Sequence, residues 1–282
     1  MLFAPSYNDF KWQLASFGTA RPTATAGSAV TPGAAPTMGS WVNLFTSGNM
    51  VNDAYGIFIS IHSGATTATT RNVLLDIGVD NDGGTAYSVK IPYLLCGHSA
   101  PYTVGSGGIW YYFPLFIPAG SSIAARAMGN VTSDIRVHAV VYGQPRRPET
   151  VRVGSKVVAF GEDTSTATGQ PVTFGTTSEG AWTQLGSATP MPLWWWQTGM
   201  TCVDTTMTLA AIHLDVSAGN SSNKRLLLQD VLSVVTTSEQ ISNAPLTLGC
   251  AADVAEGDLI YGRGQSSTTA DTDTSMMAWG LG

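Results

Sequence analysis

Short apolar runs, in which β-branched or aromatic residues alternate with smaller or polar ones, punctuate the whole chain. Ile57-Phe58-Ile59-Ser60-Ile61-His62, Val73-Leu74-Leu75-Asp76-Ile77-Gly78-Val79 and Ile135-Arg136-Val137-His138-Ala139-Val140-Val141-Tyr142 are bounded by Gly, Asn and Thr. A two-residue period over such lengths predicts strands. Leu209 to Val216, Arg225 to Val231 and Met276 to Trp279 hold the corresponding places later in the chain, and no stretch predicts an amphipathic helix. Asn81-Asp82-Gly83-Gly84, Gly105-Ser106-Gly107-Gly108 and Ala218-Gly219-Asn220 carry the residues that tolerate positive φ or preset a turn. Pro118 has no N–H to give a ladder, so a strand must stop or lie at an edge there, and Gly120 permits the bend into the next strand; Glu256-Gly257-Asp258 does the same later on. The pattern predicts an all-β fold of jelly-roll-like sandwich type, with roughly six to eight strands in each half.

The two halves resemble each other in four collinear blocks. Val30-Thr31 and Gly39-Ser40-Trp41-Val42-Asn43-Leu44 match Val172-Thr173 and Gly180-Ala181-Trp182-Thr183-Gln184-Leu185. Arg71, Leu74, Asp76 and Ile77 match Arg225, Leu228, Asp230 and Val231, each 154 positions on. The Pro92 segment resembles the Pro245 segment. Ile117, Gly120, Ile123 and Arg126 match Val254, Gly257, Ile260 and Arg263 at an offset of 137, which also carries Tyr142-Gly143 onto Trp279-Gly280. The expected organisation is an extended N-terminal arm over 1–28, a β-sandwich domain over 29–143, a stiff linker over 144–156 containing Pro145-Arg146-Arg147-Pro148, and a second, repeated sandwich over 157–282. The arm carries Phe3, Tyr7, Phe10, Trp12 and Phe17 at no clean period. Left bare, those rings would expose a large apolar area, so the arm is expected to dock on a sandwich or on a neighbouring subunit.

Composition sharpens this picture. Of 282 residues only 11% are charged while 44% are hydrophobic, and such a charge-poor surface suits a protein that lives packed against others. A net charge of −6, without a basic cluster longer than Arg146-Arg147, argues against direct nucleic-acid binding. The three cysteines, Cys96, Cys202 and Cys250, read as reduced, buried small hydrophobes. No basic segment leads a long apolar stretch at the N-terminus and no window holds enough uninterrupted apolar residues to span a bilayer, so cytosolic synthesis without a membrane span is expected.

Candidate chemistry is sparse. His62, His98, His138 and His213 lie at no metal-ligand spacing. Gly97-His98-Ser99-Ala100-Pro101 lacks the glycine that a nucleophile elbow requires after its serine. Asp80-Asn81-Asp82-Gly83 opens like a calcium loop but lacks the distal Glu, and an Asx-rich turn explains the same residues. We therefore expect no enzyme activity, and assign no catalytic, cofactor-binding or metal-ligating residue. The runs Trp110-Tyr111-Tyr112-Phe113 and Trp194-Trp195-Trp196 fit core and interface anchors, or sugar-stacking platforms. Strand alternation places Trp194 and Trp196 on one face and Trp195 on the other. With the arm residues Phe3, Tyr7, Phe10, Trp12 and Phe17, the rings Trp110, Tyr112 and Trp195 form the expected interface set.

Val30-Thr31-Pro32-Gly33 leading to Gly39-Ser40-Trp41, the Leu75-Asp76-Ile77-Gly78-Val79 strand and the stretch from Phe113 to Arg126 resemble tailed-bacteriophage virion proteins of β-sandwich type. The resemblance covers most of the first half and, more faintly, the second, where Glu256 precedes the glycine and no proline is present. It implies a virion structural protein made in the host bacterial cytoplasm. The expected role is a capsid decoration (cement) protein that contacts the major capsid protein and copies of itself, as a homo-oligomer such as a trimer; the alternatives are a tail or fibre subunit and a host-glycan-binding module.

Overall fold

The computed structural model describes residues 13–17, 27–63, 72–96, 109–130, 133–143, 152–202, 210–235, 241–243, 249–267 and 274–282. Among them the first half holds β1 (Gln13–Phe17), β2 (Ser28–Val30), β3 (Gly33–Ala34), β4 (Val42–Phe45), β5 (Ala54–Ser63), β6 (Val73–Asp80), β7 (Ser88–Leu95), β8 (Ile109–Phe113), β9 (Ser122–Gly129) and β10 (Ile135–Gly143). The second half holds β11 (Val157–Phe160), β12 (Glu162–Asp163), β13 (Thr168–Pro171), β14 (Thr183–Gln184), β15 (Leu193–Cys202), β16 (Ala210–Gly219), β17 (Lys224–Val235), β18 (Ile241–Asn243), β19 (Cys250–Val254), β20 (Leu259–Ser266) and β21 (Thr274–Leu281). The one helical element described is a single 3-10 turn at Ser47–Asn49. The protein is an all-β sandwich.

Four sheets result. The first runs β1-β10-β5-β8, with β2 also on β10; the second runs β3-β9-β6-β7, with β4 on β9. The third runs β12-β13-β21-β15-β18, with β11 on β21 and β19 on β15; the fourth runs β14-β20-β16-β17. No described ladder joins a strand of one half to a strand of the other. On β10 the pleat sorts residues cleanly, with Ile135, Val137, Ala139 and Val141 buried and Arg136, His138, Val140 and Tyr142 half-exposed. The expected corners are present: Gly120 and Gly257 adopt φ of 78° and 91° just before β9 and β20.

One strand departs from simple alternation. β21 is buried at every position. Met276 and Ala278 join Phe160, Trp196, Ile212 and Leu214 in the core of the second half. Met277, Trp279 and Leu281 join Tyr111, Phe113 and Leu115 in the core that fills the first. The third sheet therefore has two apolar faces, and the outer one closes the joint between the halves.

Residues 13–17 of the arm form the extended strand β1, paired with β10 from Gln13–Gly143 to Phe17–Ala139. Two expectations need correction. Trp194 and Trp196 do not share surroundings: Trp194 packs in the cluster shared with the first half and Trp196 in the second-half core. The ladder between β15 and β19 shifts register between Leu193 and Trp195, which breaks the alternation there. Finally, Asp76 corresponds to Asp215 and not to Asp230. Asp76 lies on β6 opposite Arg126 of β9, and Asp215 lies on β16 opposite Arg263 of β20.

Candidate interaction surface

The outer face of the first sheet is built by the two-residue period of three neighbouring strands. β8 contributes Trp110 and Tyr112, β5 contributes Phe58, Ser60 and His62, and β10 contributes Arg136, His138, Val140 and Tyr142. Phe58 stands opposite Tyr112 on one side and Val140 on the other, and Ser60 stands between Trp110 and His138. Gly56 is required: a Cβ there would lie 2.7 Å from the Tyr112 hydroxyl oxygen. Its bare backbone lets Tyr112 lie across β5 and meet Tyr142 edge-on, ring centres 6.1 Å apart. Trp110 stands edge-on to Phe58 at 5.1 Å and is 55% exposed. Burial holds the His138 imidazole below its usual pKa, and nearby His62 adds to the effect. Burial, then Tyr142, pushes the Tyr112 phenol up.

Of the residues expected at an interface, Phe3, Tyr7, Phe10 and Trp12 lie outside the described residues. Phe17 ends β1, opposite Ala139. Trp110 is exposed, whereas Tyr112 and Trp195 are half-buried and meet each other at 6.3 Å, where the third sheet reaches the first. Trp195 lies over Gly249, where a Cβ would come within 2.4 Å of its indole nitrogen. The sequence reading missed Phe58, Val140 and Tyr142. Their signal was the even-numbered, outward positions of runs already recognised as strands.

A second arrangement occurs twice. In the first half Arg126 holds Asp76 through Nε and a terminal nitrogen, both at 3.0 Å, and lies 4.5 Å over the Trp41 ring. In the second, Arg263 binds Asp215 at 3.0 and 2.8 Å, lies 4.3 Å over Trp182, and also pairs with Glu179. Each aspartate also accepts a backbone N–H from a residue with positive φ, Tyr93 at 54° and Asp230 at 52°. Burial raises the Asp76 pKa, while the Tyr93 N–H and Arg126 pull it down. Glu179, Asp215 and Asp230 converge, but Arg263 already sits among them. Two further cations lie over rings, Arg152 at 4.6 Å from Trp194 and Lys224 at 4.6 Å from Tyr261. Asp80, which opened the calcium-like string, accepts the N–H groups of Asp82 and Ala86 as an Asx turn does. Cys96 and Cys250 are free thiols, Cys96 fully buried and Cys250 partly, and burial pushes both up in pKa.

The fold and this sheet face define the chain as an all-β sandwich protein with an exposed aromatic surface. No protein-family model matches it, and no curated protein matches it. Among solved structures it is similar to the CBM22-1–CBM22-2 tandem domain from Paenibacillus barcinonensis Xyn10C, at 8% identity over 97% of this chain and 91% of that chain, with a TM-score of 0.26. It is similar to the major capsid protein P2 from Bacteriophage PM2, at 10% identity over 90% and 97% of the two chains, with a TM-score of 0.33. The Cowpea mosaic virus top component matches at 9% identity over 100% and 94%, with a TM-score of 0.30. Among the described residues, no helix is long and apolar enough to cross a membrane.

Proposed function

We propose that the chain is a non-enzymatic structural component of a bacteriophage particle, a capsid decoration protein that stabilises the shell by bridging its subunits. The observation that carries this reading is the outer face of the first sheet. Three antiparallel strands hold Phe58, Trp110, Tyr112, Val140 and Tyr142 on one surface, with Trp110 exposed. Apolar area left in water costs about 25 cal/mol per Å², so rings held outward on a rigid scaffold do their work when covered. A surface sparing in charge adds little desolvation cost to that covering. A subunit that binds only the assembled lattice stabilises it by mass action. The phage-like motifs around Trp41 and from Phe113 to Arg126 supply the particle.

The test is stoichiometry in gradient-purified particles of the phage that encodes the chain. Copy number near that of the shell protein supports decoration. A few copies per particle support the tail or fibre alternative, and absence from particles overturns the reading. The exposed indole of Trp110 favours one second reading, a host-glycan-binding module, because a sugar ring stacks on such a surface. Glycan-array signals that vanish on Trp110→Ala would establish that alternative.

A further inference from the structure

The joint between the halves is one-sided. The second half brings the outer face of the third sheet together with β11, which runs beside β7. The first half brings the open side of its sandwich, between the end strands β8 and β7. Tyr111 of β8 spans that opening by donating its hydroxyl to the Leu95 carbonyl of β7 at 2.7 Å, and Trp279 packs edge-on against its ring at 5.3 Å. The main chain of Gly154 exchanges hydrogen bonds with Pro114 and Phe116 close by.

Each part of this joint has a counterpart. In the first sheet β1 takes the place that β11 takes in the third. Leu14 stands opposite Tyr142 and Phe17 opposite Ala139, as Val157 stands opposite Leu281 and Phe160 opposite Ala278. Gln13-Leu14-Ala15-Ser16-Phe17-Gly18 reads against Lys156-Val157-Val158-Ala159-Phe160-Gly161. Val140 stands opposite Phe58 as Trp279 stands opposite Gln197, so the outward Val140 and Tyr142 of β10 match the outward Trp279 and Leu281 of β21, which corrects the pairing of Tyr142 with Trp279 expected from the sequence. The receiving side recurs as well. β17 ends the fourth sheet as β7 ends the second, and Asp230 stands where Tyr93 does, at φ 52° against 54°, each N–H on its aspartate. Among the described residues β17 pairs only with β16, and its Leu226 and Leu232 are each 42% exposed. One docking face and one receiving edge are used inside the chain. Among the described residues one of each is left over, on opposite halves.

We propose that the two left-over surfaces meet between copies: β1 and the outer face of the first sheet dock along β17 of a second copy, repeating the contact that β11 and the third sheet make with β7. The contact is head-to-tail, so it closes into a ring or runs on as a filament according to the rotation it imposes. It deepens the structural role proposed above by naming the partner as a second copy, and its test needs no particle.

Sedimentation velocity of the full chain over a concentration series should show association. Trp110→Arg disables the docking face, and the pair Leu226→Lys with Leu232→Lys disables the receiving edge. All three positions are exposed, and a circular dichroism spectrum like that of the unaltered chain confirms folding. Each variant alone should lose about tenfold or more in self-affinity. Mixed, the two should form a one-to-one dimer that grows no further, since each retains the surface the other lacks. A chain monomeric up to about 100 μM would overturn the proposal, because so weak a contact corresponds to less than about 5.5 kcal/mol. So would a β17 variant that associates like the unaltered chain, or a mixture that forms no dimer. Association that emerges only after deletion of residues 1–12 would show that the chain's own arm covers the face, and would also overturn it. Failure here leaves the particle stoichiometry free to come out either way, so the two readings fail separately.

Discussion

Asp76 shows what a single buried charge demands of its neighbours. Its side chain is 3% exposed, yet two groups satisfy it: the Arg126 guanidinium, braced by Trp41, and the Tyr93 N–H. Removing one partner of such a pair leaves the other uncompensated. Asp76→Ala should therefore cost about 3 kcal/mol in urea unfolding, and Arg126→Lys, which keeps the charge but loses the planar stacking, should cost less. His138 gives a pH dependence. Its pKa lies below the ordinary 6.5, so as pH falls through that value the unfolded chain takes up the proton first. The stability it contributes is full above pH 6.5 and drains away below. Denaturant titrations between pH 7 and 5 should show the decline, and His138→Asn should flatten it. At this scale the Trp and Arg members of the repeated arrangement were legible, because both sit beside Gly-rich turns that keep register. Their Asp partner was not. An outward Asp in a strand and a left-handed Asp at a strand irregularity are written with the same letter, and the 154-residue spacing chose Asp230 over Asp215.

At the scale of strands and corners, most of the alternating runs could be read directly, since β5, β6 and β10 are half-buried or buried ladders of β-branched residues bounded by turn formers. β1 was hidden. Five residues that find their partner 122 or more positions away carry no local signal. The corners allow backbone cost to be separated from packing cost. A Cβ at Gly120 or Gly257 would have no atom within 4 Å, so replacement by Ala at either corner should cost about 1 kcal/mol through positive φ alone. Gly78→Ala differs: its Cβ would fall 2.6 Å from the Trp41 ring. The ring must move off Arg126, and a shift in tryptophan fluorescence should accompany a larger loss in chemical denaturation than at the corners.

For the whole molecule, β21 decides how the halves share their stability. The apolar text Met276-Met277-Ala278-Trp279 was legible as a strand, and its burial at every position is how such runs behave when layers lie above and below. What covers the second face was not legible, because the partner rings Tyr111 and Phe113 lie in the other half. Trp279→Ala should cost roughly 3–5 kcal/mol. Calorimetry should also show the single transition of the unaltered chain separating into two.

The cations parked on rings have a consequence for how fast copies find one another. Of 13 lysines and arginines, Arg126, Arg152, Lys224 and Arg263 lie over aromatic faces, which draws their charge in against the protein's own rings. Two approaching molecules of net charge −6 repel at long range and attract only on touching. Added salt shrinks the repulsion to within about 10 Å at 0.1 M, so encounter should quicken as ionic strength rises. A stopped-flow series in sodium chloride that slowed instead would mean that opposite charges guide the approach.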